Sequence, residues 1–309
     1  FWKMISICLT KFTKGPWVKV MTEGFYRALS FYEDEFLVDV IEGYPEKNYD
    51  IIILVGIRSI VKRGLDPNKI LPYCIKLVDM GDSSMDQRNN FEDLYFYFLP
   101  SKTKLHDHYV YLPKFVITDD LYPEKYDNNK LTIYVDHFKY QNINERDKSI
   151  RAINKIFHSI KNSNIPLQIF YHTSKGIETN RFTPEITKTK SQIAKHLPFK
   201  EIAQYYRKTD IFFPTHRETQ GMVAQEIAAC GGITMLQEWM YPQNTLGQFA
   251  HIIYKEEDDI DFFSIRKSIK KITHETIINN TVKKCSFDNF RTTLSNYGNK
   301  KKLDKTSKG

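Results

Sequence analysis

Residues 210–236 have the sequence DIFFPTHRETQGMVAQEIAACGGITML, and this stretch decides the fold. The apolar run 211–213 predicts a buried strand, and the small residues of 221–230 predict a helix. Glu226 then lies inside the helix, and Glu218, eight positions earlier, lies in the loop before it. A helix N-terminus attracts phosphate through its unpaired N–H groups, whereas carboxylates accept hydrogen bonds from hydroxyls. The arrangement therefore predicts a ligand that carries both phosphate and hydroxyl groups.

This stretch resembles the Glu-x7-Glu motif of retaining, nucleotide-sugar-dependent glycosyltransferases with the GT-B fold, of the glycosyltransferase family 4 type. The family usually has Gly-Phe-Gly after the first Glu and Ala-Cys-Gly after the second, and this chain has ETQG at 218–221 and EIAACG at 226–231. The resemblance extends to FKEIAQYY at 199–206, which is similar to the helix before the strand, and to GGITM at 231–235. An ordinary strand-helix-strand unit with solvated glutamates is the alternative interpretation.

A chain of 309 residues exceeds what one hydrophobic core usually serves, so two α/β domains are expected. The resemblance implies two Rossmann-like domains that face a cleft, with a C-terminal helix that crosses back to the first domain. We predict an acceptor-side domain at 1–115, a nucleotide-sugar-binding domain at 116–270, a returning helical segment at 271–294 and a basic flexible tail at 295–309.

Apolar periodicity and turn residues predict alternating strands and helices in both domains. In the first domain we expect strands at 5–9, 36–41, 49–55 and 75–78 and a helix at 18–30. Residues 109–123, with two prolines, are expected to form an extended linker. In the second domain we expect strands at 131–135, 167–171, 211–213, 233–236 and 251–254, and helices at 145–161, 187–195, 199–208 and 221–230. Helical stretches at 261–273 and 288–295 close the chain.

The resemblance implies roles for the residues of the motif. Glu218 would contact sugar hydroxyls near the transferred carbon, and Glu226 would accept hydrogen bonds from the ribose hydroxyls, with a solvated helix residue as the alternative for Glu226. Backbone N–H groups at the start of the helix would hold sugar and phosphate. The full predicted donor-binding set is Glu226, Gln220, Gly221, Met222, Val223, Gly15, His196 and Arg181, and the predicted catalytic set is Glu218, Lys139 and Asp82.

The sequence departs from the family where a basic pair usually neutralises the leaving diphosphate. The first strand of the second domain is followed by DHFKYQ at 136–141, without an arginine, so Lys139 is the candidate and Arg181 the second choice. Gly15 matches a glycine-containing loop that closes over the donor, and a plain turn glycine is the alternative. No histidine in the first domain matches the usual position beside the sugar. Asp82 is the candidate there, with N-capping of a helix as the alternative.

Composition limits the partners and cofactors. No Asp-x-Asp at a strand end suggests a bound cation, so we expect no metal and no cofactor besides the nucleoside-diphosphate sugar as donor substrate. The four cysteines are scattered, which predicts free thiols rather than zinc ligands. The apolar runs are too short to cross a bilayer and no cleavable signal opens the chain, so we expect a cytoplasmic protein, or one peripheral to a membrane.

The predicted function is transfer of a sugar, with retention of configuration, to a hydroxyl of a glycan, a lipid-linked sugar or a small molecule. The net charge of +8 leaves open an alternative, a glycosyltransferase that acts on modified bases in DNA. The missing arginine leaves open a protein that binds sugar nucleotides without turnover.

Overall fold

The structure is a computed structural model of the 309-residue chain. It divides into two compact units, of which the first comprises Phe1–Ile117 together with Ser286–Gly309 and the second Thr118–Cys285. The domain limits given above stay predictions. The residues that the structure describes are 4–12, 16–55, 75–79, 95–97, 109–110, 119–124, 130–135, 147, 151, 154–155, 158, 166–172, 190–193, 197–214, 221–238, 240, 249–255, 288–289, 291–292 and 294–296.

The described part of the first unit contains a parallel six-stranded sheet. Its strands are β1 (Ile5–Lys11), β2 (Phe36–Glu42), β3 (Ile51–Val55), β4 (Ile75–Asp79), β5 (Tyr95–Tyr97) and β6 (Tyr109–Val110). They are arranged in the order β2-β1-β3-β4-β5-β6. All five residues of β3 are buried, as the β-branched run predicted for a strand covered on both faces. The order reverses at β1, which lies between β2 and β3.

Helix α1 (Pro16–Ser30) follows β1 and packs against β1, β2 and β3. Proline suits the first turn of a helix because the N–H that it lacks has no partner there. Phe25 and Leu29 on α1 are fully buried, so this helix contributes the apolar side chains that cover one face of the sheet. A tight turn then leads into β2, where the Phe36 N–H donates to the Tyr32 carbonyl at 3.0 Å.

Helical residues between 288 and 296 belong to the first unit, so the chain crosses back to it at its C-terminal end. Arg291 donates to Glu35 at 2.9 Å, and its guanidinium carbon lies 4.4 Å from the centre of the Tyr32 ring. The Tyr32 hydroxyl donates to the Asp288 carboxylate. Leu294 is fully buried. Apolar burial, a stacked guanidinium and an ion pair together hold this segment.

The second unit also has a parallel sheet among its described residues. Its elements are β7 (Leu131–Val135), β8 (Leu167–His172), β9 (Lys190–Ile193), α2 (Phe199–Arg207), β10 (Ile211–Phe213), α3 (Met222–Ala229), β11 (Ile233–Leu236) and β12 (His251–Ile253). The strand order is β12-β11-β10-β7-β8-β9. Counted within the unit this is the 3-2-1-4-5-6 order of a dinucleotide-binding sheet. The predicted α/β fold class with two Rossmann-like units is confirmed.

Two predicted elements are wrong. Residues 187–195 were expected to form a helix, and the structure has the strand β9 there, paired in parallel with β8 from Ile169 opposite Lys190 onward. Pairing along a sheet edge overrides a short helical pattern because strand preference depends on neighbours. The linker expected at 109–123 begins too early, since Tyr109 and Val110 pair with β5. The strand β5 itself had no counterpart in the prediction.

The segment 119–124 runs along the end of α2 and is fixed there by one arginine. Arg207 donates from Nε to Glu124 at 2.9 Å and from Nη1 to the Asp120 carbonyl at 2.7 Å. Its guanidinium carbon also lies 4.6 Å from the centre of the Tyr122 ring. Leu121 is buried beside these contacts. Among the described residues, no helix combines the length and apolar character that spanning a bilayer needs.

Candidate functional site

The reversal of strand order in the second sheet marks the place to look for a ligand. β7 and β10 are neighbours, with Ile133 opposite Ile211 and Val135 opposite Phe213. Their crossover connections run to opposite sides, because β8 follows β7 on one side and β11 follows β10 on the other. Ligands of open α/β sheets bind beyond the carboxyl ends of the strands at such a reversal. α3 comes after the carboxyl end of β10, with residues 214–221 between them.

A single buried aspartate, Asp210, joins β7, β10 and β11 at their amino ends, opposite the edge where a ligand would bind. The Asp210 carboxylate accepts a hydrogen bond from the Thr132 N–H at 2.7 Å, and the Asp210 N–H donates to the Thr132 carbonyl at 2.9 Å. The Asp210 carbonyl accepts from the Ile233 N–H at 2.9 Å. Sequence analysis gave Asp210 no such role. Its signal was a carboxylate directly before an apolar strand, a position where the charge must find donors because it is buried.

The helix α3 begins at a glycine with a backbone conformation that few other residues adopt. Gly221 has φ 66° and ψ 70°, in the left-handed region, and it forms the N-cap of α3 without any side-chain cap. The first intrahelical bonds reach back to it, from Ala224 at 3.1 Å and Gln225 at 3.4 Å. Within the described ranges, the N–H groups of Met222 and Val223 have no acceptor. Uncapped N–H groups at the start of a helix offer hydrogen bonds to an anion.

The end of α3 is equally well defined. The Gly231 N–H donates to the Ala228 carbonyl and the Gly232 N–H donates to the Ile227 carbonyl, both at 2.9 Å, which is the Schellman pattern. Gly231 has φ 89°, which a residue with a Cβ rarely adopts. A Cβ on Gly232 would lie 2.5 Å from the Ile227 side chain and 2.8 Å from the Thr209 carbonyl. Both glycines are therefore needed to pass from α3 directly into β11.

Glu226 lies on the second turn of α3, as predicted, and it is buried. Its exposed fraction is 8%, so the alternative of a solvated helix residue is wrong. Burial raises the pKa of the Glu226 carboxyl from 4.5 to about 8. In the part of the chain that the structure describes, this carboxyl group forms no hydrogen bond or ion pair. A buried acid of this kind ionises at neutral pH only where hydrogen-bond donors or a cation reach it.

Four predicted donor-binding residues lie in or next to α3, with Gly221, Met222 and Val223 at its start and Glu226 on its second turn. The other predicted residues lie outside the described residues, and their roles stay predictions. These are Glu218, Gln220, Lys139, Asp82, Gly15, His196 and Arg181. Within the described ranges, no three His, Cys, Asp or Glu side chains are grouped so as to hold a metal ion. Cys8 and Cys230 are buried, and among the described residues neither forms a disulfide.

Solved structures similar to this chain include several glycosyltransferases, a putative UDP-N-acetylglucosamine 2-epimerase from Listeria monocytogenes and the N-terminal domain of a trehalose-6-phosphate phosphatase from Candida albicans. AviGT4, a glycosyltransferase involved in avilamycin A biosynthesis, matches with a TM-score of 0.56 and 9% identity over 94% of this chain and 98% of that chain. WaaG, a glycosyltransferase involved in lipopolysaccharide biosynthesis, matches with a TM-score of 0.54 and 10% identity over 94% and 98%. Sucrose-phosphate synthase from Thermosynechococcus elongatus matches with a TM-score of 0.55 and 11% identity over 98% and 100%.

These likenesses extend over nearly the whole chain, and they show the fold. The two units with parallel sheets have the Rossmann-like architecture of GT-B glycosyltransferases. No protein-family model matches the sequence, and no curated protein matches it either. A shared fold hosts different reactions, so the activity has to be argued from the site.

Proposed function

We propose that this protein is a glycosyltransferase that moves a sugar from a nucleoside-diphosphate sugar to a hydroxyl acceptor with retention of configuration. One observation carries the proposal. At the strand reversal of the second sheet, an uncapped helix begins at the left-handed Gly221, and a buried carboxyl group, Glu226, follows on its second turn. The donor has a diphosphate for the N–H groups and vicinal ribose hydroxyls for the carboxyl group.

The proposed roles follow from the chemistry of each group. The N–H groups of Met222 and Val223 bind the sugar and diphosphate, and Gly221 allows the backbone to approach closely because it has no Cβ. Glu226 accepts hydrogen bonds from two ribose hydroxyls. Glu218 contacts hydroxyls of the transferred sugar, and Gln220 is a further contact to the donor.

Neutralisation of the leaving diphosphate is the remaining requirement. We assign it to Lys139, with Arg181 as the second choice, because β7 ends at Val135, shortly before Lys139, at the strand reversal. Asp82 is proposed beside the reacting sugar, and Gly15 and His196 as donor contacts. Developing charge on the diphosphate is stabilised by a cation that is already in position, so its effect is greater in the transition state than in the ground state.

Measurements of donor binding test the observation on which the proposal rests, the uncapped start of α3 with the buried Glu226. UDP, GDP and ADP are titrated calorimetrically against the wild type and Glu226→Ala, with the exposed Glu23→Ala of α1 as a matched control. We expect about 1–3 kcal/mol weaker binding for Glu226→Ala, because the acceptor of two hydroxyls is lost, and no change for the control. Equal affinity in Glu226→Ala would remove the ribose assignment.

Turnover tests the reaction itself. A panel of nucleoside-diphosphate sugars is incubated with glycan, lipid-linked and small hydroxyl acceptors, and the anomeric configuration of the product is determined by NMR.

Activity is expected to persist in excess EDTA, since the site is proposed to work without a metal. Lys139→Ala is expected to lower kcat by about 100-fold with a smaller effect on donor affinity.

The outcomes separate the proposal from its alternatives. Transfer only to DNA that carries modified bases would support a DNA glycosyltransferase, for which the net charge of +8 is the motivation. Donor binding without transfer or donor hydrolysis would support a binding protein. Cell fractionation separates a cytoplasmic protein from one that is peripheral to a membrane.

A further inference from the structure

Within the described part of the chain, the buried position of the Glu226 carboxyl group conflicts with its ordinary ionised form. It is 8% exposed, and α3 packs against β11 and α2 on the same unit. An ionised carboxylate that has left water without gaining a donor is strongly disfavoured relative to the neutral acid. Burial accordingly raises the pKa of Glu226 to about 8.

The described neighbours offer no charge that would ionise it. Cys230 is the C-cap residue directly after α3, and burial raises the pKa of its thiol to about 12, so it is neutral. β11 has no titratable side chain. On α2, Arg207 is the cation on the last turn, and it is already bonded to Glu124 at 2.9 Å.

The remaining titratable groups of α2 are Lys200, Glu201, Tyr205 and Tyr206, and the Tyr205 ring contacts that of Phe170 edge-on, at 4.9 Å between the ring centres. Tyr206 is buried and its ring lies 5.4 Å from that of Tyr134, in an edge-on contact. Lys200 and Glu201 are exposed on the first turn of α2. Residues 215–220, which include three titratable side chains, are outside the described residues. The described surroundings therefore keep Glu226 neutral in the absence of a ligand.

We infer that Glu226 is an un-ionised carboxylic acid when the donor site is empty and that it releases its proton when the vicinal hydroxyls of the donor's ribose bind. This inference rests on the proposed function. The O–H bond of the carboxyl group breaks, and the proton passes to solvent. The 2′- and 3′-hydroxyls then donate one hydrogen bond to each carboxylate oxygen, and no covalent bond of the sugar changes.

Donor binding is therefore coupled to pH. Hydrogen bonds to the ionised form lower the pKa of Glu226 in the complex, so the complex holds one proton fewer than the free protein between the two pKa values. Below about pH 8 the donor has to displace a proton, and its affinity should rise about tenfold for each pH unit. Above that pH the free protein has already lost the proton, and affinity no longer depends on it.

The experiment counts protons released on binding. UDP, GDP or ADP, whichever binds most tightly, is titrated into the protein at pH 7 in phosphate and in Tris buffers, whose ionisation enthalpies differ. The difference in observed enthalpy gives the number of protons released, which we expect to be about one per ligand bound. The dissociation constant is then measured from pH 6 to pH 9.

Three controls separate proton release by Glu226 from ionisation of the ligand itself. Glu226→Gln keeps the shape of the side chain but has no proton to release, so its titration should show about one proton fewer than the wild type. The 2′-deoxy form of the same nucleotide lacks one of the two hydroxyl donors, and it should bind to the wild type with less proton release. Glu23→Gln on α1 should behave as the wild type does.

The outcomes distinguish this inference from the proposed function. If none of the nucleotides binds, the donor-binding proposal fails. If a nucleotide binds and Glu226→Gln weakens it, but the wild type and Glu226→Gln release the same number of protons and have parallel pH profiles, the donor site stands and the proton-release inference is overturned. A difference of about one proton, lost with the 2′-deoxy ligand, supports it.

Discussion

Two glutamates on two helices show how differently the same side chain behaves in the two units. Glu23 on α1 lies 3.8 Å from Lys19, and the two side chains are 62% and 70% exposed. Glu226 on α3 is 8% exposed and has no described partner. An exposed ion pair contributes little to stability, whereas a buried carboxyl group without donors lowers it. Both residues are glutamates, and only the buried one, Glu226, indicates that a ligand binds nearby.

The largest expected effect comes from replacing the ionisable carboxyl group of Glu226 by an amide, which does not ionise. The folded protein keeps the proton of this group up to about pH 8, whereas the unfolded chain releases it near its ordinary value of 4.5. Rising pH therefore favours the unfolded chain across this window, and the stability present below pH 4.5 is lost progressively. Glu226→Gln does not titrate, so it should be about 3 kcal/mol more stable than the wild type at pH 7 and nearly equal to it at pH 4.5.

The measurement is urea unfolding of both proteins at pH 4.5, 6, 7 and 8 without nucleotide. The difference between their free energies of unfolding should grow with pH. Two stability curves that run parallel across this range would mean that the acid is already ionised in the empty protein, and the contrast between the two helices would disappear.

The second effect concerns glycines in the two units. Gly232→Ala should destabilise the protein by about 2 kcal/mol, because its Cβ would meet Ile227 and the Thr209 backbone. Gly43 in the first unit has φ 93° and open space around it, so Gly43→Ala adds only backbone strain of about 1 kcal/mol. Thermal unfolding of the two variants compares them directly. A larger loss at Gly43 would show that the turn into β11 adjusts more easily than its contacts indicate.

The third effect compares two arginines that fix chain segments. Arg207, whose side chain is 13% exposed, holds 119–124 by an ion pair and a carbonyl contact, and Arg207→Ala should destabilise the protein by about 1–2 kcal/mol. The expected loss of stability is small because Glu124 is 37% exposed and solvent screens its ion pair with Arg207. Arg291 is 29% exposed, and Arg291→Ala should cost about 1 kcal/mol or less. Urea unfolding measures both, and the reverse order would contradict the comparison.

The smallest effect is expected on α1. Glu23→Gln breaks an exposed i,i+4 pair, so the free energy of unfolding should change by less than about 0.5 kcal/mol. Raising the salt concentration should reduce the difference further, since ions screen exposed charges. A change as large as that of Glu226→Gln would show that exposure does not separate the two glutamates.

Predictions from the sequence succeeded where the signal was local and strong. The strands Leu131–Val135, Ile211–Phe213 and Ile233–Leu236 have the predicted bounds, because short apolar runs have no alternative to burial. The failures came from pairing with distant residues. The strand β9 is short and lies at the sheet edge beside β8, a partner that its own residues do not indicate.

The sequence by itself determined the α/β class, the small-residue helix with Glu226 inside it and the glycines that bound this helix. These features depend on residues close together in the chain, through periodicity and the backbone freedom of glycine. The tertiary structure decided that β7 and β10 are neighbours, that Asp210 joins three strands and that Glu226 is buried. Burial depends on what other segments place around a side chain, so only the folded chain could show that this glutamate is buried.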